Sequence, residues 1–449
     1  MEDTHEDSKS KGKQWVLLEG DPELSARFTQ ELDIHPLVAD ILVQRGLHTL
    51  EDAKAFLTPS LAQMHDPFLM KGMEEAVKLI LDALEDGLQI VVHGDYDVDG
   101  ISSASVLYEF LRDIGANVTF FIPRRNKEGY GLNIETIRRI QHEGAQMLIT
   151  TDCGISNVDE IVVAKALGLQ VVIVDHHTVP EVLPPADAIL NPLQPGCAFP
   201  FKKLAAVGVA FNLVVGLRST MRKQGVFQYV PEPDLKTYLD LVALGTVADV
   251  VPLVDENRIF AKFGLEVLSK RKRAGIAALI ERACNDLEQA TTQTISFQLA
   301  PRLNAAGRMG DASICVDLLT TRSYAQAVKL AGQLEEMNKE RQVAEREIMK
   351  EALLQAEEQV ALERPILVVY GENWNRGVLG IVASRLMEKY SRPALLLGIE
   401  DGLGKGSARS TAGINLIEAL TRCDDLLQSY GGHTSAAGVA LAAEHIDEF

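Results

Sequence analysis

Between residues 86 and 190 short apolar runs alternate with longer stretches of helical periodicity. Gln89 to His93, Asn117 to Ile122, Met147 to Thr151, Val171 to Val174 and Ala188 to Leu190 read as strands. Ser102 to Ile114, Asn133 to Glu143 and Asp159 to Leu167 read as the helices between them. The strand runs are continuous and β-branched rather than alternating with polar residues. That pattern predicts a parallel sheet covered by helices on both faces. Upstream, from Asp21 to about Leu84, the pattern is helical: Ile34 to Leu42, Leu50 to Phe56 and Met73 to Leu84 fit short amphipathic helices. Downstream of Phe201 it is helical again, over Leu204 to Leu217, Asp234 to Leu244 and Ala261 to Leu268. From Tyr324 to about Leu362 there is no proline and no glycine after Gly332, which predicts one long helix. Its apolar stripe thins toward the C-terminus, so part of it is expected to be solvated and to bridge two domains. Pro365 to Tyr370, Gly377 to Tyr390, Pro393 to Leu397 and Gly406 to Ser410 then give strand, helix, strand and strand edge.

The predicted architecture is α/β: a parallel-sheet domain over 86–320, a long connecting helix over 321–363 and a smaller α/β domain over 364–449. A helical N-terminal segment over 1–85 precedes them, with residues 1–13 expected to be disordered. Composition agrees, because 449 residues suffice for two or three cores, and 47% apolar with 24% charged residues is ordinary for a globular protein. No apolar run is long enough to span a bilayer and the acidic start is unlike a signal peptide. The five cysteines are far apart with no CxxC pair, which predicts a reduced, cytoplasmic protein without a disulfide framework. A net charge of −19 argues against a general polyanion binder. Nucleic acid would have to meet local basic surfaces or metals that neutralise an acidic site. The run Lys270-Arg271-Lys272-Arg273 reads as a solvated helix end, with phosphate contact the minor alternative.

Chemistry concentrates where strands end. After Ile90-Val91-Val92 comes His93-Gly94-Asp95-Tyr96-Asp97-Val98-Asp99-Gly100. An Asp-rich turn is the common structural reading, but three acids and a histidine in eight residues repel too strongly for a mere turn, so a divalent cation such as Mg²⁺ or Mn²⁺ is favoured. A calcium-binding helix-loop-helix is excluded, since a strand precedes the acids. Three other apolar runs end alike, at Asp152-Cys153-Gly154, at Asp175-His176-His177 and at Asp249. Each alone is better read as a helix cap or a core histidine. Together they offer six ligands, His93, Asp95, Asp97, Asp152, His176 and Asp249, at one edge of a sheet. That number suits two metals roughly 3.5–4 Å apart, the usual clamp for phosphoryl transfer.

Asp175-His176-His177, with the Asp-Tyr-Asp-Val-Asp-Gly stretch before it and Asp249 after it, resembles the DHH phosphoesterase family. Gly431-Gly432-His433-Thr434-Ser435-Ala436-Ala437-Gly438 is similar to the signature of the accompanying DHHA1 domain. Pro301 to Arg308 and Gly377 to Arg385 resemble the family's single-strand exonucleases in particular, and the likeness runs from about residue 20 to the end. The resemblance implies hydrolysis of single-stranded DNA from the 5′ end to 5′-mononucleotides, in recombination and repair, with two Mn²⁺ or Mg²⁺ ions. It carries the ligand roles onto the six residues above, with Asp97 and Asp152 in the catalytic centre, Asp152 bridging and His177 on the scissile phosphate. Asp99 is expected to orient the site rather than bind metal. Single-strand-binding protein and a RecQ-type helicase are the partners it implies. Two rivals stay open: a DHH oligoribonuclease or 3′-phosphoadenosine phosphatase, and a scaffold that binds single strands without cutting them.

Basic, small-residue stretches are the candidates for holding substrate. Arg302 and Arg308 flank a turn of Asn304, Ala305, Ala306 and Gly307 that lets a phosphate approach the backbone. Gly404 to Ser410 supplies Lys405 and Arg409 on another such stretch, and Pro123 to Gly131 offers Arg124, Arg125 and Tyr130, the last as a base-stacking ring. A plain turn with solvated cations is the reading each would get in isolation. By resemblance, Arg308, Ser407 and Arg409 would hold the 5′ phosphate and His433 would donate to a phosphate. Family members carry an OB-fold that grips single strands; no five-strand pattern for one is legible before Phe449. The sequence reads as truncated or as a member lacking that module, with hydrolysis retained and processivity reduced.

Overall fold

The computed structural model describes residues 16, 18, 20–125, 127–129, 131–284 and 287–449. The segment 1–13 and Tyr130 lie outside them. The residues up to Met64 form one compact unit and His65–Phe449 a second.

In the first unit, helices Pro22–Leu32, Pro36–Gln44 and Leu50–Leu57 close on Phe28, Ala39, Leu42, Val43, Leu50 and Ala53. Asp21 and Thr49 cap two of them by accepting first-turn N–H bonds, and prolines occupy the first helical position of the first two.

The second unit holds two five-stranded sheets. In the first, β1 (Ile90–Gly94), β2 (Val118–Phe121), β3 (Met147–Thr151), β4 (Gln170–Val174) and β5 (Ala188–Leu190) pair in the order β2-β1-β3-β4-β5, all parallel. All five residues of β1 and of β3 are buried, as strands covered on both faces must be. Helices Ile134–His142 and Val158–Ala166 close one face over Val91, Leu148, Val171 and Ile173. Helices Val98–Asp113 and Ala206–Lys223 cover the other. The strand order reverses between β1 and β3, so the connections after them run to opposite sides and open a crevice beyond their carboxyl ends.

In the second sheet β6 (Leu367–Glu372) and β7 (Ala394–Glu400) pair in parallel. β8 (Leu403–Arg409), β9 (Ser429–Gly432) and β10 (Ala436–Ala442) continue antiparallel in the order β6-β7-β8-β10-β9. The predicted long helix is one 38-residue helix, Tyr324–Ala361. Its stripe does not fade where the sequence suggested. Ile348, Ala352 and Ala356 are buried against β6, β7 and helix Arg376–Tyr390, because alanines too small to register as hydrophobic periodicity let the elements approach closely. The edge of β6 is sealed by this helix. Gln359 exchanges two hydrogen bonds with the backbone of Val368, and Gln355 two with Tyr370.

Three local expectations change. Residues 245–248, read as a run comparable to a strand end, are the last turn of helix Leu239–Ala248, which is buried all round. The turn expected around Asn304 is the interior of helix Ala300–Met309. The strand edge expected at Gly406 to Ser410 is present, as β8. In the basic run, Arg273 is no solvated helix end, since its guanidinium pairs with Glu109 and Asp240 behind a side chain only 9% exposed.

Candidate active site

β1 ends at Gly94, and the chain turns straight into helix Val98–Asp113 with Asp97 as its cap. Asp97 Oδ1 accepts from the N–H groups of Asp99 (2.9 Å) and Gly100 (3.1 Å). Gly100 is required here, because a Cβ would stand 2.6 Å from the backbone of Asp95. The compact turn leaves Asp95, Asp97 and Asp99 around the carboxyl end of β1. β3 ends at Asp152, whose φ of 60° is a strained conformation for a residue other than glycine. β4 ends at Asp175, His176 and His177. Helix Leu239–Ala248 delivers Asp249, followed by Val250 at φ 61°.

Among the described residues these side chains make three metal-competent groups, with donor atoms within 4.8 Å in each. They are Asp95, Asp97 and Asp152; Asp152, His176 and His177; and Asp99, His176 and Asp249. Five of the six residues proposed as ligands are thus brought together. His93 stands apart from these groups, fully buried at the end of β1 beside the Phe121 ring. Asp99 accepts from the Ala206 and Val207 amides at 2.7 and 3.0 Å, which caps helix Ala206–Lys223 from outside.

The crowding has an electrostatic signature. Asp95 is pushed up to about 8, by burial and then by Asp97. Asp249 is pushed up to about 7, by burial and then by Asp97. Asp99 and Asp152 are raised as well, by burial and then by neighbouring carboxylates. Burial holds the His93 imidazole down to about 4. His93 Nε2, Asp95 Oδ1 and Asp152 Oδ1 are buried without a hydrogen-bond partner. Each such orphan costs about 1–3 kcal/mol unless something occupies it. Carboxylate oxygens and neutral imidazole nitrogens at these separations fit Mn²⁺ or Mg²⁺, whose charge would remove both penalties.

The two histidines are held differently. His176 Nδ1 lies 3.0 Å from the Leu204 carbonyl, to which it donates, leaving the Nε2 lone pair toward Asp152 (3.3 Å), Asp249 (3.8 Å) and Asp99 (3.9 Å). His177 Nδ1 is 2.7 Å from Asp175 Oδ1. The same carboxylate takes the amides of His176, His177 and Ile155. Burial opposes charge on both partners. The Asp175–His177 hydrogen bond, their charge attraction and the neighbouring contacts together outweigh it, raising His177 to about 9 and holding Asp175 below its usual range.

Beside the acidic loop after β1 opens a cleft of about 1190 Å³ between the helix end Gly307–Gly310 and the second sheet. Tyr96 joins the two, with its backbone against Gly307 and Arg125 over its ring at 5.4 Å. Arg125, Arg308, Ser407 and Arg409 line the cleft. Arg308 is lowered to about 10 by burial and then by Arg125, with Arg341 and Arg409 adding to the effect, and Arg409 is lowered by burial and then Arg125. This concentrated positive charge favours an anion. Arg308 Nη1 donates to the Gly377 carbonyl at 2.8 Å, and Arg409 Nη1 to Ser407 Oγ at 2.8 Å.

Other nominated residues fall elsewhere. Arg302 faces the long helix, paired with Glu335 at 2.6 Å, and neither it nor Asn304 lines the cleft. Arg124 pairs with Asp311 at 2.9 Å. His433 is exposed on the β9–β10 hairpin, outside the cleft lining. Sequence reasoning passed over Asp175, which orients His177, and the Asn375–Gly377 helix start, which forms a cleft wall. Both had a signal, in an acid at a strand end and an Asn cap before a helix.

The chain has relatives among known proteins. Residues 89–246 match the model of the DHH family, N-terminal domain, and residues 363–449 that of the DHHA1 domain. The chain is 44% identical over 436 residues to the single-stranded-DNA-specific exonuclease RecJ of Bacillus subtilis (strain 168), covering 97% of this chain and 54% of that protein. It therefore spans about half the length of that relative. The RecJ of Haemophilus influenzae is 38% identical, with 92% of this chain and 73% of that protein covered. The crystal structure of RecJ from Thermus thermophilus in complex with Mn²⁺ superposes with a TM-score of 0.81 at 34% identity, covering 96% of this chain and 60% of that one. With a parallel sheet and a mixed sheet in the DHH and DHHA1 regions, and 38% identity to a relative of which it spans 73%, the chain belongs to the RecJ family.

Proposed function

We propose that this chain is a metal-dependent nuclease that removes 5′-mononucleotides from single-stranded DNA in the 5′→3′ direction, in DNA recombination and repair. The observation that carries the reading is the position of Asp152. It belongs to two of the three donor groups, and the cluster opens next to a cleft lined by Arg308 and Arg409. The relatives' names, single-stranded-DNA-specific exonuclease, and the Mn²⁺-bound structure support it.

His93, Asp95, Asp97, Asp152, His176 and Asp249 would hold two Mn²⁺ or Mg²⁺ ions, with Asp152 shared between them. Bound there, such ions supply an activated water and charge stabilisation at the leaving oxygen. The remaining work belongs to side chains. Asp99 holds the Ala206 helix against the site, and the Leu204 carbonyl fixes the His176 tautomer. His177, kept protonated by Asp175, offers positive charge to a non-bridging phosphate oxygen. Arg308, Ser407 and Arg409 bind the terminal 5′ phosphate, which places the first phosphodiester over the acidic cluster and sets polarity. The segments 86–320, 321–363 and 364–449 act as catalytic domain, connecting helix and substrate-binding domain. A cytoplasmic location, with single-strand-binding protein and a RecQ-type helicase as partners, completes the reading. No helix among the described residues is long and apolar enough to cross a membrane.

The test is a time course on single strands labelled at either end, in Mn²⁺. A 5′ label should appear first as mononucleotide, and Asp97→Ala should stop cleavage while strand binding persists. Attack confined to di- to tetranucleotides, or undiminished cleavage by Asp97→Ala, would sink it.

A further inference from the structure

We infer that the thiol of Cys153 is a positioning residue that sets the tautomer of His93 and so makes its Nε2 a metal donor. The inference rests on the metal site proposed above. His93 is 0% exposed and its Nε2 has no hydrogen-bond partner, although acidic side chains crowd the carboxyl end of the same strand. Were Nε2 protonated, a buried N–H would stand without an acceptor, whereas a lone pair there can be satisfied by a cation. A bare lone pair at Nε2 puts the ring proton on Nδ1. A proton on Nδ1 needs an acceptor, and Cys153 Sγ lies 3.8 Å away, within the reach of an N–H···S bond.

Cys153 is held for this contact. It is 2% exposed, and its carbonyl accepts the Thr150 hydroxyl at 2.9 Å. Gly154 follows at φ 110°, where a Cβ would meet Thr150 Oγ1 at 2.6 Å, so only glycine lets the chain turn back there. The turn lies beside β1 because His93 pairs with Thr150 across the β1–β3 ladder. A second acceptor within reach of the ring is residue 93's own carbonyl, which also takes the Thr151 hydroxyl at 3.4 Å. The other proposed imidazole ligand, His176, is oriented by a backbone carbonyl. His93 is supported in addition by a side chain, so its donor quality can be altered by mutation. Because Cys153 directly follows Asp152, one turn places a proposed bridging carboxylate and the support for a second ligand together.

The experiment uses the full chain as wild type, Cys153→Ser and Cys153→Ala, with Mn²⁺ as the probe. Mn²⁺ affinity is measured by calorimetry and the His93 ring nitrogens by ¹⁵N NMR, assigned with His93→Gln. Losing an orienting partner typically costs ~10–100-fold in metal affinity. Cys153→Ala should therefore bind Mn²⁺ at least ~10-fold more weakly, with the His93 signals shifting toward a tautomer mixture. Cys153→Ser, which keeps a polar group, should fall between Ala and wild type and serves alone should Cys153→Ala not fold. Wild-type affinity with unmoved His93 signals in the variants overturns the inference and leaves the metal site intact. A wild-type chain that takes up no Mn²⁺ overturns the metal reading itself.

Discussion

His177 Nδ1 and Asp175 Oδ1 are 2.7 Å apart, and the contact joins a raised imidazole to a depressed carboxylate. Its pH dependence has a definite sign. In the metal-free protein His177 titrates near 9, above its ordinary value of 6.5. The pair's contribution to stability is then complete below about pH 6.5 and is lost as pH rises toward 9. Asp175 is depressed, so at the acid end its contribution is lost as pH falls below the usual carboxylate range. Asp175→Asn should return His177 toward 6.5 in an NMR titration and cost about 1.5–3 kcal/mol in denaturant unfolding at pH 6. An unmoved His177 titration would show that Asp175 does not set its charge. Added Mn²⁺ should lower the His177 pKa by simple repulsion.

Metal uptake should release protons. Asp95 near 8 and Asp249 near 7 are partly protonated in the apo site at neutral pH, because buried carboxylates this close cannot all ionise. Calorimetry of Mn²⁺ binding at pH 7 in buffers of different ionisation enthalpy should reveal net proton release, with apparent affinity rising from pH 6 to 8. The same linkage makes the metal a stabiliser, by about 2.7 kcal/mol at a hundredfold excess over Kd. Chelation should therefore lower Tm, and a proton count of zero would contradict the crowded-carboxylate picture.

The arginines of the cleft make a prediction about salt. Arg409 is braced by Ser407 Oγ and the Ala408 carbonyl, both at 2.8 Å, so its charge is fixed in place. Arg409→Gln should reduce the slope of log affinity against log salt for single-stranded DNA by about 0.7, the value for one lost phosphate contact on a single strand. The reduction should vanish for a strand bearing a 5′ hydroxyl. Equal losses on both strands would place Arg409 on an internal phosphate.

The parallel sheet and the long helix were legible because burial on both faces forces continuous apolar runs and because a helix without glycine or proline announces itself. Strand ends gave the acidic cluster, since chemistry at the carboxyl edge follows from topology. What stayed hidden depends on side-chain direction. Arg302 and Arg308 sit six residues apart in one helix, too far apart in turn phase to face the same way, and Arg302 turns to Glu335 while Arg308 lines the cleft. Periodicity alone could have separated them had that stretch been read as a helix. Asp249 was found by its letter and read as the end of a separate apolar run, because helix Leu239–Ala248 continues four residues past the Leu244 end expected for it. Cys153 and Asp175 act through other residues, which no linear pattern reports.

The β6 edge supplies a last prediction, independent of the chemistry. A helix does not usually pair with a strand, yet Gln355 and Gln359, one turn apart, each present an amide that both donates and accepts. Together they satisfy the N–H and C=O of Val368 and Tyr370 at 2.6–3.1 Å. Replacing both by leucine keeps bulk and helix propensity but strands four backbone groups. At about 0.5–1.5 kcal/mol for each bond, the double variant should lose roughly 2–6 kcal/mol. An unsealed edge is also a template for a second chain. Light scattering should then show concentration-dependent self-association of Gln355→Leu/Gln359→Leu, while either single variant stays closer to wild type. A monomeric double variant of unchanged stability would mean that water serves β6 as well as the glutamines do.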